Sequence, residues 1–470
     1  MSENDMAFRD ADVIVIGGGA AGMFAACRLS EAGKKVMIVE PNRKLGRKLR
    51  ITGKGRCNLT NNSSSENVMK HIMRNQKFMF SALAGFSPDD VMSWFESKGV
   101  PLKTERGNRV FPKSDRADDV ADALADELKR RRVSVVRDKA LHIIVSDGAA
   151  FGVECEKAKY YAGSVLLATG GMSYPATGST GDGYRMAREV GHSVSDLRPS
   201  LVPVMIRERF AAELSGLTLK NVTLSVFEEG RKKPVYSELG EVSFAAYGIA
   251  GPLTLSASCV MDTDKLEGGK YTAVIDLKPA LDREQLDRRL LRDFESAHGD
   301  SFEKELTRLL PVQMIPVFAN LTGIDHATSC SRLTRQDRAK ILELLKCFKL
   351  TPYALRPIEE AIITRGGVSV KEINPVTMES KLVKGLYFSG EIIDVDATTG
   401  GYNLQIAFST GFLAAVSQLR FCQLCNHFFS KALTRYVLSE YRRTAHGSLS
   451  ARSPQIAAIS SMRLLVVCAS

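Results

Sequence analysis

The run Asp12-Val13-Ile14-Val15-Ile16-Gly17-Gly18-Gly19-Ala20-Ala21-Gly22 sets an apolar strand directly against a glycine turn that opens a helix, the order a dinucleotide site requires. Gly17 permits the tight turn, and Gly19 lets the backbone approach a pyrophosphate. Gly22 allows the helix to pack on the strand, so that the amides of Ala20 and Ala21 face the phosphates. A second apolar strand, Lys35-Val36-Met37-Ile38-Val39, ends in Glu40 and Pro41. The acid stands where it can bond a ribose hydroxyl.

A chain of 470 residues exceeds what one hydrophobic core fills, and its 44% hydrophobic residues suffice for two or three domains. No apolar run approaches the eighteen residues of a membrane span, and the start Met1-Ser2-Glu3-Asn4-Asp5 is acidic where a secretory signal would be basic. A cytoplasmic protein without a membrane partner is expected. Nine cysteines, an odd number widely scattered, read as reduced thiols. The net charge of +11 is concentrated late: from Ser417 to Ser470 seven basic residues face the single acid Glu440. No stripe of Lys and Arg interleaved with aromatics is visible, so a nucleic-acid partner is not expected.

Further along, Arg43 to Asn62 reads as a basic, glycine-punctuated loop. A helix is predicted over Asp118–Arg132, a strand over Val133–Val136, and a hairpin over Leu141–Val145 and Ala150–Cys155. After Pro199 the pattern turns β-rich, with strands over Val222–Phe227 and Tyr271–Leu277. Helical spacing follows at Asp282–Ala297, Ser301–Leu310 and Arg335–Cys347. The strand-to-glycine pattern then returns in Leu386-Tyr387-Phe388-Ser389-Gly390-Glu391, which implies re-entry into the first domain. The expected α/β organisation is a Rossmann-like domain in two parts (1–198 and 356–416), interrupted at 199–355 by a β-rich domain with a helical subdomain near 282–348. An atypical basic tail occupies 417–470.

Four segments converge on one cofactor site. The first is the opening turn with Glu40. In the second, Lys48, Lys54 and Arg56 offer charge to a diphosphate, while Thr52, Gly53, Gly55, Cys57 and Asn58 supply hydrogen bonds and close backbone approach. The third, from Ala168-Thr169-Gly170-Gly171 to Gly181-Asp182-Gly183, admits a flat ligand, with Asp182 as a helix cap. The fourth joins Gly390 and Glu391 to Gly401, Asn403 and Leu404. There a helix beginning at Asn403 would present its positive end to a ring that gains negative charge on reduction. Asp394 and Asp396 between them read as turn or ribityl contacts rather than metal ligands, and no metal is expected.

The combination of Gly17–Gly22, Thr52-Gly53-Lys54-Gly55-Arg56-Cys57-Asn58-Leu59-Thr60-Asn61, Thr177–Tyr184 and Gly390–Gln405 resembles the BaiN-type family of NAD(P)/FAD-dependent oxidoreductases, over about Ala11 to Val416. The resemblance implies FAD as cofactor and a two-part FAD domain. It also implies hydride chemistry on a small molecule, with NAD(P)H as a transient donor; reductases of unsaturated steroid acids and an oxidase of aminoacetone are among such proteins. Two departures stand out. Similar proteins often carry Phe-Thr-His or Phe-Thr-Asp before a Gly-x-Ser-Gly-Pro turn, where this chain has Phe244-Ala245-Ala246-Tyr247-Gly248-Ile249-Ala250-Gly251-Pro252. Relatives also usually end near Val416.

In the tail, Cys422-Gln423-Leu424-Cys425-Asn426-His427 misses the haem spacing and lacks a second cysteine pair for zinc. Cys57 has no partner at the spacing of disulfide reductases and reads as a packed small residue. No histidine lies in a chemical motif, so no general base is assigned, and Tyr174, Tyr402 and Arg365 are the candidate substrate contacts. The expected function is an FAD-dependent oxidoreductase transferring hydride between NAD(P)H and a small organic substrate. Alternatives are an FAD-dependent amine oxidase using oxygen, a flavin-dependent RNA-modifying or RNA-binding protein, and a flavin-bound redox sensor. Neither the substrate nor the oligomeric state is written in the sequence.

Overall fold

The computed structural model describes residues 10–297 and 299–419. The Cys422–His427 stretch and the remainder of the basic tail from Arg420 lie outside the described residues. The first sheet takes its strands in chain order as β1 (Ala11–Ile16), β2 (Val36–Val39), β3 (Ser134–Val136), β4 (Ala140–Ser146), β5 (Ala149–Cys155) and β6 (Lys159–Leu167). Their spatial order is β3-β2-β1-β6-β5-β4. Strands β3, β2, β1 and β6 run parallel, with Val15 opposite Ile38 on one side and Leu166 on the other. β4 and β5 form the expected antiparallel hairpin. β1 and β2 are buried nearly throughout, as strands covered on both faces must be.

The helices of this half are α1 (Ala20–Glu31), α2 (Arg47–Gly55), α3 (Pro88–Ser97), α4 (Ala117–Arg130) and α5 (Asp182–Glu189). α4 matches the expected amphipathic helix to within two residues at each end. α2 corrects the reading of Arg43–Asn62 as a loop throughout. Apolar Leu49 is buried, and the helix then breaks where Thr52 turns extended and Gly53 and Lys54 take left-handed backbone (φ 59° and 58°). Composition concealed the helix because its charged residues outnumber its apolar ones.

The second sheet is antiparallel. It comprises β7 (Val204–Ile206), β8 (Thr218–Glu228), β9 (Tyr236–Ala245), β10 (Gly248–Ala250), β11 (Tyr271–Asp276), β12 (Phe348–Leu350) and β13 (Pro352–Leu355), in the order β12-β11-β8-β9-β10-β7-β13. Alternate residues of β8 and β11 are buried, so one face meets a core. A short helix, α6 (Pro252–Ser258), follows β10. Between β11 and β12 stand α7 (Arg283–Ser296), two shorter helices (Phe302–Leu306 and Ile315–Thr322) and α8 (Arg335–Lys346). Leu286, Leu290, Phe294, Ile341 and Leu345 bury the inner faces of α7 and α8 in the same apolar cluster as the sheet.

The chain then returns. β14 (Leu386–Phe388) lies parallel beside β6, pairing Tyr387 with Leu166, and the final described helix α9 (Tyr402–Ser417) packs on α1. Gly411 makes this packing possible, since a Cβ there would stand 2.9 Å from the Ala21 carbonyl oxygen. Phe24 of α1 meets Phe408 of α9 and Trp94 of α3 with ring centroids 5.4 and 5.1 Å apart. The second half of the chain is thereby locked onto the first.

Candidate active site

The carboxyl ends of β1, β6 and β14 lie side by side, and the glycine segments emerge from them. In open α/β sheets ligands bind outside these ends. Gly17 has φ +105°, and a Cβ there would come within 2.5 Å of the Ala168 carbonyl oxygen. A Cβ on Gly22 would collide with the Gly17 carbonyl. At Gly19, by contrast, a Cβ would meet nothing within 4 Å. Gly19 is the N-cap of α1 and no side chain caps the helix, so the first-turn amides keep the positive end of the helix dipole without a side-chain acceptor.

Glu40 sits at the end of β2, almost fully buried. Its Oε2 accepts from the Gly18 amide at 2.8 Å, and its Oε1 accepts from the Asn42 amide and side-chain nitrogen at 2.9 and 2.6 Å. These bonds fix the carboxylate beside the glycine turn and leave lone pairs for a hydroxyl donor. Pro41 follows it at the surface.

The segment after α2 is unusual backbone. Gly53, Lys54, Gly55 and Cys57 all have positive φ, and Gly55 faces empty space. Such αL conformations turn successive amides toward one side and form an anion-accepting concavity. The Asn58 Oδ1 atom is buried with no partner, as is the Thr169 hydroxyl. Lys54 is exposed. Cys57 is buried, and its thiol is pushed up to about 12 by burial, the state of a packed, inert residue. Arg56 does not stand free: its Nε donates to Asp115 at 2.8 Å, Glu105 pairs with Nη2, and the guanidinium lies 4.3 Å from the Phe111 ring centre.

Lys48 is likewise engaged. Its ammonium donates to Glu391 Oε2 at 2.7 Å and to the Ser173 hydroxyl at 2.7 Å. Glu391 Oε1 also accepts from the Thr364 amide at 2.8 Å and from the Ser173 hydroxyl at 3.0 Å. Ala168, Thr169, Gly170 and Gly171 run past this network. A side chain at Gly171 would collide with the Thr364 hydroxyl. Ser173, inside the third glycine segment, and Thr364, far away in the chain, were not picked out by sequence reasoning, since nothing local shows that they share the Glu391 carboxylate.

In the return segment, Gly390 donates its amide to Thr410 Oγ1 at 2.9 Å, and a Cβ there would lie 2.8 Å from that of Ala21. Gly401 is the N-cap of α9 with φ +94°, again without a side-chain cap. The helix starts one residue before the expected Asn403. Asn403 accepts from the Ala397 amide at 3.0 Å and donates to the Ala397 carbonyl at 2.7 Å, so it braces the approach loop, and Leu404 follows partly exposed in the first turn. Asp182 is not a cap: Gly181 takes that position and Asp182 accepts from the Thr180 hydroxyl at 2.7 Å. Asp396 is fully buried, accepts from Ser200 Oγ at 2.9 Å, and has its carboxyl pushed up by burial. Asp394 pairs with Arg74 at 3.2 Å. Of the candidate substrate contacts, Tyr402 stacks on His71, Arg365 donates to the Cys259 carbonyl at 3.2 Å, and Tyr174 stands in left-handed backbone.

Residues 11–417 match the HI0933-like protein Rossmann domain family. The chain belongs to this family of FAD-dependent oxidoreductases. It is 29% identical over 402 residues, 85% of this chain and 97% of the relative, to a 3-dehydro-bile acid delta(4,6)-reductase of Clostridium scindens. It is 30% identical over 415 residues, 86% of this chain and 97% of the relative, to a ribosomal RNA dihydrouridine synthase of Haemophilus influenzae. Among solved structures, a 3-ketosteroid-delta4-(5alpha)-dehydrogenase of Rhodococcus jostii superposes with a TM-score of 0.49 at 14% identity, covering 89% of this chain and 99% of that one. The site's chemistry fits FAD. Two uncapped helix ends, open space over Gly19 and Gly55, and the orphaned Asn58 oxygen are features a dinucleotide would complete. No helix among the described residues is long and apolar enough to cross a membrane.

Proposed function

We propose that this flavoenzyme is a reductase that moves hydride from NAD(P)H, through noncovalently bound FAD, onto a carbon–carbon double bond conjugated to a carbonyl. One observation carries the reading. Two relatives aligned over more than four fifths of this chain bear names that describe the same transformation: a bile acid reductase saturates a steroid enone, and a dihydrouridine synthase saturates the uracil ring.

On this reading the first turn of α1 binds the diphosphate through its free amides, and Glu40 holds the adenosine ribose. Glu391, oriented by Lys48 and Ser173, would hold the ribityl chain, and Gly53, Gly55, Asn58, Gly170 and Gly171 would hold the ring system. The uncapped end of α9, at Gly401, Asn403 and Leu404, favours negative charge on the ring. The cofactor supplies the exchange of hydride between donor and acceptor.

The test is anaerobic. FAD-loaded protein should be bleached by NADH or NADPH and recoloured by cyclohex-2-enone, a 3-oxo-Δ4 steroid or a uridine-containing RNA. Protein that takes up no FAD, or that is bleached yet recoloured only by oxygen, overturns the proposal; the latter result favours the oxidase.

A further inference from the structure

We propose that Lys54, Arg106 and Arg109 form a phosphate-binding rim beside the cofactor segments that receives the nicotinamide donor and selects NADPH over NADH, an inference that rests on the reductase reading above. The chain has one G-x-G-x-x-G turn, at residues 17–22, and on that reading FAD occupies it. A donor that must reach the same ring system therefore brings its phosphates to a surface without a second dinucleotide fold. NADH carries a diphosphate. NADPH adds a phosphate monoester, which holds about −1.5 to −2 charges at pH 7. Cations left without a carboxylate beside the cofactor segments are the groups that respond to that difference.

The three residues come from two segments that meet beside the site. Gly53, Lys54 and Gly55 take left-handed backbone at the end of α2, and a Cβ on Gly53 would lie 3.6 Å from the Phe111 ring. Phe111 belongs to a hairpin of Leu102–Glu105 and Arg109–Pro112 whose turn is Arg106-Gly107-Asn108. The Arg109 guanidinium stands 5.8 Å from the centre of the same ring, and its Nε donates to the Arg106 carbonyl at 3.0 Å. Asn61 ties the turn to the site. Its Nδ2 donates to the Gly107 carbonyl and to the Gly400 carbonyl, each at 3.0 Å, and Gly400 immediately precedes the N-cap of α9. Arg106 reaches the other way, donating from Nη1 to Asn221 Oδ1 of β8 at 3.3 Å, so the rim lies where the hairpin meets the second sheet.

Charge and space set these residues apart from their neighbours. The acids beside them, Glu105 and Asp115, are both occupied: Arg56 pairs with each, and Lys103 stands 2.6 Å from Asp115 and 3.5 Å from Glu105. Lys54, Arg106 and Arg109 form no ion pair among the described residues, which leaves three positive charges uncompensated. Lys54 and Arg106 are exposed and Arg109 is half-buried. A Cβ on Gly55 or on Gly107 would meet nothing within 4 Å, so the backbone beside the cations is open to a ligand. Two guanidiniums offer paired N–H donors to a phosphate, and the lysine offers a point charge. Because Lys54 is separated in the chain from Arg106 and Arg109, no basic motif announces them in the sequence.

The test measures donor choice in FAD-loaded full-length protein without oxygen. In stopped-flow bleaching the wild type should favour NADPH over NADH about 30-fold in kcat/KM, and Arg106→Gln combined with Arg109→Gln should bring that ratio close to one. Calorimetry gives a readout without turnover. Wild-type protein should bind 2′,5′-ADP about tenfold tighter than 5′-AMP, an advantage that shrinks as pH falls through about 6, where the monoester gains a proton, and that the double variant loses. A wild type that NADH and NADPH bleach equally well, or a ratio that the double variant leaves unchanged, overturns the rim alone. So does a double variant whose ratio holds while recolouring by a uridine-containing RNA slows, because the cations then serve the acceptor. A wild type that neither nicotinamide bleaches, yet that dithionite reduces and cyclohex-2-enone recolours, overturns the donor in the reductase reading and the rim with it. If the double variant loses FAD, Lys54→Gln decides: a preference for 2′,5′-ADP that falls in this variant supports the rim, and one that stays the same overturns it.

Discussion

Helices α7 and α8 of the insert begin in the opposite way to α1 and α9. α7 and α8 begin with reciprocal capping boxes, Asp282 with Gln285 and Thr334 with Asp337, so side chains of the same helix satisfy the orphan amides. α1 and α9 begin at Gly19 and Gly401 with no side-chain cap at all. The amides left without a side-chain acceptor at α1 and α9 lie beside the glycine segments, where a ligand can take the place of a cap.

The contrast can be broken by substitution. Gly22→Ala places a Cβ against the Gly17 carbonyl, so it should destabilise the fold itself by on the order of 4 kcal/mol, visible as a large fall in urea midpoint with or without FAD. Lys48→Met strands the Glu391 carboxylate in a half-buried network and should cost about 3 kcal/mol. Adding Glu391→Gln should recover part of that loss in a double-mutant cycle, and full additivity would show that the pair is not coupled. The Cβ of Gly19→Val meets no atom within 4 Å. Its melting temperature without FAD should therefore stay close to wild type, within about 1 kcal/mol, while FAD affinity measured by fluorescence titration falls more than about tenfold. Undiminished affinity would mean that the open space over Gly19 is not the diphosphate's. Thr334→Ala removes a cap from the closed class and should cost about 1 kcal/mol, with flavin content unchanged.

Much of the first sheet is legible in sequence because its signals are local. A run of four buried residues such as Val36–Val39, a glycine at a turn and an acid at a strand end are each fixed by neighbours along the chain. Family membership supports the FAD-binding Rossmann fold, and the hairpin, α4, α7 and α8 fall where periodicity puts them. What escaped is non-local. Lys48 and Arg56 read as free cations because nothing in their segment reveals that Glu391, or Asp115 and Glu105, will meet them. Leu49 alone could not announce α2 among basic neighbours. Ser256 and Thr399 are ordinary residues in sequence, and only the packing of the insert against the return segment brings their hydroxyls to 2.8 Å.

The contact between Lys48 and Glu391 spans 343 residues, and that span has a consequence in time. At ribosomal speeds of about 5–20 residues per second, roughly 20 to 70 s separate the synthesis of the two partners. From its own synthesis to the end of that interval β6 waits with one edge unoccupied by β14, and α1 waits with its α9-facing side uncovered. The nascent chain thus holds a half-built nucleotide cradle while the whole second sheet is being made.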